Sequence, residues 1–113
     1  MIDKRLLGTW RSDTRKTMRD IRNRRDIPEE TQKRLKRLFG KLRLRYTRKR
    51  MHTEFEGHKT CEPYRVVAKN YHSVAIVTPG VCEGDEQIYH IHFEGKYYSI
   101  WLGKYREFFK KIE

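Results

Sequence analysis

Long apolar runs are missing from this chain. No stretch is long and apolar enough to span a bilayer as a helix, and Met1 to Gly8 carry no apolar leader core. The expectation is a cytoplasmic protein with no membrane insertion. Cysteine is scarce as well: Cys61 and Cys82 are too few for a disulfide framework or for a zinc ribbon, which needs four ligands in paired spacing. Reduced thiols are the plain expectation. A hairpin turning near Asn70-Tyr71 would instead bring Cys61 close to Cys82 and permit a bridge in an oxidising setting. There is no Gly-x-Ser-x-Gly elbow and no phosphate loop, so no catalytic residue and no cofactor can be named, which weighs against an enzyme. Repeats and low-complexity linkers are also absent, and 113 residues make a single domain, 1–113.

Acidic residues are sparse in one half only. The first 50 residues hold 19 of the 27 Lys and Arg but 6 of the 15 Asp and Glu, while the remainder is close to neutral. That asymmetry marks one basic region able to meet an anionic partner, beside a part that must supply the core. Hydrophobic content is low at 36%, yet two Trp, seven Tyr and five Phe are distributed as in a folded chain.

Periodicity divides the chain in the same place. Gly8 to Asp13 is strand-like. Thr14, Thr17, Met18 and Ile21 then fall on one helical stripe, with Arg15, Arg19 and Arg22 on another. Asp26-Ile27-Pro28-Glu29-Glu30 starts a second helix, with Pro in the first turn and two acids at its positive end. Thr31, Leu35, Leu38 and Phe39 share its apolar face, Lys33, Arg34, Lys36 and Arg37 the opposite one, and Gly40 closes it. Beyond Gly40 the period is two. Leu42, Leu44 and Tyr46 alternate with Arg43, Arg45 and Thr47, and the inward set changes parity around Arg48-Lys49 to Met51, Thr53 and Phe55. Hairpin centres at Glu56-Gly57, Asn70-Tyr71, Glu94-Gly95 and Gly103-Lys104 divide the rest into strands near 58–69, 73–78, 87–93, 97–102 and 105–110. The predicted fold is mainly β: an antiparallel up-and-down barrel of about eight strands, with a helical pair inserted after the first strand, closed to remove the sheet edges.

Gly8-Thr9-Trp10 on a first strand, a helical pair, and hairpins to the C-terminus resemble the calycin superfamily of lipocalins and intracellular fatty-acid-binding proteins. The resemblance implies a lipocalin-like barrel with a ligand cavity. It also implies that Gly8 and Trp10 close one barrel end while a basic residue of the last strand, here Arg106, lies across the indole. A turn at Gly103-Lys104 independently sets Arg106 opposite Trp101. The fatty-acid-binding branch holds a carboxylate with Arg-x-Tyr. In Arg106-Glu107-Phe108 the phenol is missing.

Two surfaces carry candidate chemistry. Pairing across Glu94-Gly95 puts His90, His92, Tyr97, Ser99 and Trp101 on one face, a mixed apolar and hydrogen-bonding lining suited to a small ligand. The alternative is that this face looks outward. His90 and His92 stand about 7 Å apart. They could share a metal with His52, His58 or His72, although nothing in the spacing selects a third ligand, and no metal is assigned. The second surface is the basic one: Arg15, Arg19, Arg22, Lys33, Arg34, Lys36, Arg37, Arg43 and Arg45 suit backbone phosphate, with no motif for base readout. The leading expectation is a non-enzymatic binding protein for a small anionic molecule in the barrel cavity, with Arg106 bracing Trp10 or meeting ligand charge. Next come nucleic-acid binding through the basic helices, and then a small enzyme using the His-x-His face.

Overall fold

Period-two alternation builds most of the molecule. In the computed structural model, which describes residues 1–24, 26–79 and 84–113, it yields nine strands among the described residues. These are β1 (Gly8–Ser12), β2 (Arg43–Tyr46), β3 (Arg50–Phe55), β4 (His58–Pro63), β5 (Arg65–Lys69), β6 (Ser73–Thr78), β7 (Gln87–Glu94), β8 (Tyr97–Leu102) and β9 (Tyr105–Lys111). Helices α1 (Thr14–Arg22) and α2 (Glu29–Leu38) lie between β1 and β2. The strands pair antiparallel in the order β4-β3-β2-β1-β9-β8-β7-β6-β5, a nearly closed barrel of the predicted kind.

There is one strand more than expected because the segment near 58–69 is two strands. Pro63, with no N–H to give a ladder, ends β4 opposite Arg50. Tyr64 then turns inward, and its N–H donates to Lys49 O at 3.0 Å. The chain thereby steps from one sheet edge to the other, and β4 and β5 become the two edges that nearly meet. The parity change at Arg48-Lys49 is a turn: Tyr46 pairs with Met51, and both point inward.

The β7–β8 turn differs by one residue from its prediction. Glu94 pairs with Tyr97, so the turn is Gly95-Lys96. Gly95 takes φ of 58°, the left-handed conformation this tight turn requires at its first central position. The slip changes every partner and leaves both faces intact, because the pairing sum moves by an even number.

Inside the barrel, Trp10, Tyr46, Tyr98, Ile91, Val74, Ile76 and Phe109 pack together. Their polar atoms are satisfied: the Trp10 indole N–H donates to Leu6 O at 2.9 Å, and the Tyr46 and Tyr98 hydroxyls bond each other at 3.0 Å. Gly8 is required at its position, since its φ is 122° and an added Cβ would lie 2.4 Å from Glu113 O.

A second core lies under the helices, where Met18, Ile21, Ile27, Leu35 and Phe39 meet Tyr105. Leu38, expected on that face, is exposed. Asp13 caps α1 by accepting from Lys16 N at 2.9 Å. β1 reaches only Phe109–Lys111 of β9. Along the rest of β9 its place is taken by α1, where Thr17 Oγ1 accepts from Phe108 N at 2.9 Å. Among the described residues no helix is long and apolar enough to cross a membrane.

Candidate functional site

The inward alternation of Trp10 and Ser12 on β1, and of Leu44 and Tyr46 on β2, forces Arg11, Arg43 and Arg45 outward. Sheet register then lines up charges from five strands. Lys110 pairs with Arg11, Arg11 with Arg43, Arg43 with Glu54, and Glu54 with Lys59, so one row across the outer wall carries four cations and one acid. Like charges directly opposite oppose folding, so the Lys110–Arg11 and Arg11–Arg43 pairs are a cost unless an anion meets them, whereas Glu54 stands between Arg43 and Lys59 as their counter-charge. A groove of about 310 Å³ takes in part of it, lined by Arg43, Arg45, His52 and Lys59 and also by the carboxylates of Glu54 and Glu113. Sequence reading found Arg43 and Arg45 and missed Arg11, Lys59 and Lys110. The same alternation that placed Trp10 inward was the available signal for Arg11.

The helices add to this charge. Arg15, Arg19 and Arg22 stand on the α1 face opposite its buried Thr17, Met18 and Ile21. Lys33, Arg34, Lys36 and Arg37 flank the buried Leu35 on α2. All nine cations named from the sequence are exposed, and among the described residues none has a carboxylate within 4.0 Å. Arg11 Nε donates to Gly40 O at 3.2 Å, which ties the strand row to the end of the second helix.

The His-x-His face points away from the lumen. Tyr89, Ile91, Phe93, Tyr98 and Ile100 take the inner side, because a barrel interior of this width is filled by large apolar side chains. His90 and His92 are exposed, Ser99 is buried, Tyr97 lies under the Lys16 ammonium at 4.6 Å, and Trp101 is 55% exposed. They share one outer face and do not enclose a cavity. The His72 and His92 rings are 6.1 Å apart. His52 and His58 stand on β3 and β4, and among the described residues no three His, Cys, Asp or Glu side chains are grouped to hold a metal.

Arg106 faces outward and is opposite Trp101, as the Gly103-Lys104 turn dictates. Its guanidinium carbon is 5.5 Å from the Trp101 ring, and Nη2 is 2.8 Å from Asp20 Oδ1. It is therefore not the cation over Trp10. That place belongs to Lys111, which pairs with Trp10 and holds Nζ 5.5 Å from its ring. Cys61 is exposed on β4 opposite His52 and does not join the β5–β6 hairpin. Cys82 lies outside the described residues.

The lumen has the opposite electrostatic character. An inner cavity of about 180 Å³ is walled by apolar residues, including Leu42, Leu44, Met51, Ile100 and Phe109, together with Tyr46, Tyr89, Thr53 and Glu107. The Ser12 hydroxyl donates to Glu107 Oε2 at 2.6 Å, and burial pushes the Glu107 carboxyl above the usual range. An open depression of about 720 Å³ shares Met51, Thr53 and Tyr89 with this cavity and adds Glu62, Asp85 and Glu86. Neither space is lined by Lys or Arg among the described residues.

Nine antiparallel strands with two helices after the first are compatible with a calycin-like fold. Comparison with protein-family models, with curated proteins and with solved structures returns no match for this chain.

Proposed function

We propose that this protein is a binding module for nucleic-acid backbone, acting through its outer cationic surface with the barrel as scaffold. The observation that carries this reading is the set of nine exposed Lys and Arg, none in an ion pair within 4.0 Å among the described residues, together with the like-charged row Lys110, Arg11 and Arg43. Unpaired guanidinium groups on rigid helices and strands suit bidentate contact with phosphate. Such contacts position a polyanion without reading its sequence. Reversing Arg34 and Arg37 to Glu tests it: affinity for an oligonucleotide should fall and the salt dependence of binding should flatten. An unchanged salt slope would refute the assignment.

A small molecule in the lumen is the second reading, favoured by the apolar cavity that ends on Glu107. At about 180 Å³ the cavity falls below the about 300–1,000 Å³ of most ligand pockets, which places this reading behind the first. Its lining also favours a neutral or cationic ligand over the anionic one expected from composition. An anionic ligand would meet the outer face instead. Native mass spectrometry of the protein taken from cells at low salt distinguishes the two readings. A discrete small mass that denaturation removes supports the lumen, and a ladder of nucleotide masses supports the surface.

A further inference from the structure

We propose that Trp101 is a base-stacking platform, so that the polyanion bound is single-stranded nucleic acid. This inference rests on the backbone-binding reading above and names its substrate class.

The two tryptophans have opposite fates. Trp10 is 2% exposed at the barrel centre, whereas Trp101 is 55% exposed on the outer face of β8. Trp101 is nevertheless fixed in place. The Arg24 guanidinium carbon lies 4.7 Å from its ring and that of Arg106 lies 5.5 Å away. Both guanidiniums are in turn held by one carboxylate: Arg106 Nη2 is 2.8 Å from Asp20 Oδ1, and Arg24 Nη2 is 3.3 Å from Asp20 Oδ2. One acid thus anchors two cations, and the two cations set the indole. Three long side chains are ordered before any ligand arrives, which removes part of the entropy that binding would otherwise cost.

The surroundings fit a base with its phosphate. Asp20 and Arg24 belong to α1 and the turn after it, and the same helix presents Arg19 and Arg22 to solvent. A strand whose base lay on Trp101 would therefore meet further exposed guanidiniums as it crossed α1. Across the sheet, exposed His90 lies one step beyond the Ile91–Ile100 pair, on the same outer face as Trp101. A base can lie on an indole only when it is not stacked within a duplex. Backbone phosphate contacts are indifferent to base identity, and stacking on an aromatic ring is similarly tolerant. Together they describe a single-strand binder with weak sequence preference.

The test uses the position of the two tryptophans. Titrating the full chain with a thymidine 15-mer and, separately, with a duplex of the same length should quench tryptophan emission with the single strand only. Trp101→Phe should bind the single strand nearly as well without the quench. Trp101→Ala should lose about tenfold or more in single-strand affinity, with duplex affinity unchanged. Emission from buried Trp10 reports that the variants are folded. If Trp101→Ala binds both nucleic acids as the parent does and the parent shows no quench, the platform is overturned while salt-dependent binding keeps the phosphate reading. If neither nucleic acid binds at low salt, the phosphate reading itself fails. A quench that grows with protein concentration in the absence of nucleic acid would assign Trp101 to contact between copies and overturn the proposal.

Discussion

Arg11 gives the sharpest test of whether charge has been placed on the outer wall at the expense of stability. It stands between Lys110 on β9 and Arg43 on β2, directly opposite each. Arg11→Gln removes two like-charged cross-strand pairs, each opposing the fold by about 0.2–1 kcal/mol at low ionic strength. It also weakens one exposed hydrogen bond, Arg11 Nε to Gly40 O at 3.2 Å, which responds little to salt. Comparing two salt concentrations therefore isolates the electrostatic part. Near 1 M salt the screening length is about 3 Å, shorter than the spacing between neighbouring strands, and the repulsion is largely gone. Thermal melts of parent and variant should show Arg11→Gln gaining relative stability at low salt over high salt. The gain should be about 1 kcal/mol, or about 4 °C in a domain of this size. The same variant should lose single-strand affinity and reduce the salt slope of binding by about 0.7, the value of one phosphate contact. A variant that is less stable by the same amount at both salts, with an unchanged binding slope, would refute the reasoning.

Two further perturbations probe the interior. Burial raises the Glu107 pKa, so the fold favours its protonated form. The stability that this contributes is present below the ordinary carboxylate range and is lost as pH rises through the raised value. Glu107→Gln should therefore melt above the parent at about pH 8 and converge with it at about pH 4, and a constant offset across that range would contradict the assignment. Tyr98→Phe strands the buried Tyr46 hydroxyl and should cost about 1–3 kcal/mol in urea unfolding. Changing both tyrosines to Phe should cost less than the single change, because no donor is then left without an acceptor.

Much of the barrel is legible in the sequence because its causes are local. Alternation over Leu42, Leu44 and Tyr46 and the Gly103-Lys104 turn each act within a few residues, and each forms where expected. The Glu94-Gly95 turn forms one residue later, at Gly95-Lys96, because the choice between adjacent turns is decided by which residue takes positive φ. The two faces keep their residues because only an odd slip would exchange them. What local pattern does not carry is which face becomes the inside. The hairpin's two faces both hold rings, and only the packing of Ile91 and Tyr98 against Trp10, Tyr46 and Phe109 makes one of them the core. The same limit explains Arg106. The family resemblance placed it over Trp10, but strand register gives that position to Lys111 and turns Arg106 toward Asp20 and Trp101. The cationic residues of the helices are readable from charge and helical periodicity. The row Lys110, Arg11, Arg43 and Lys59 required knowing which strands are neighbours, since residues far apart in sequence meet there.

The most direct measurement is the affinity of the unmodified protein for a single-stranded oligonucleotide as a function of salt. If the outer wall and the helices contact four to six phosphates, log affinity should fall against log salt with a slope of about −3 to −4. A slope near zero, or no binding at low salt, would contradict the claim that this surface is built for nucleic-acid backbone.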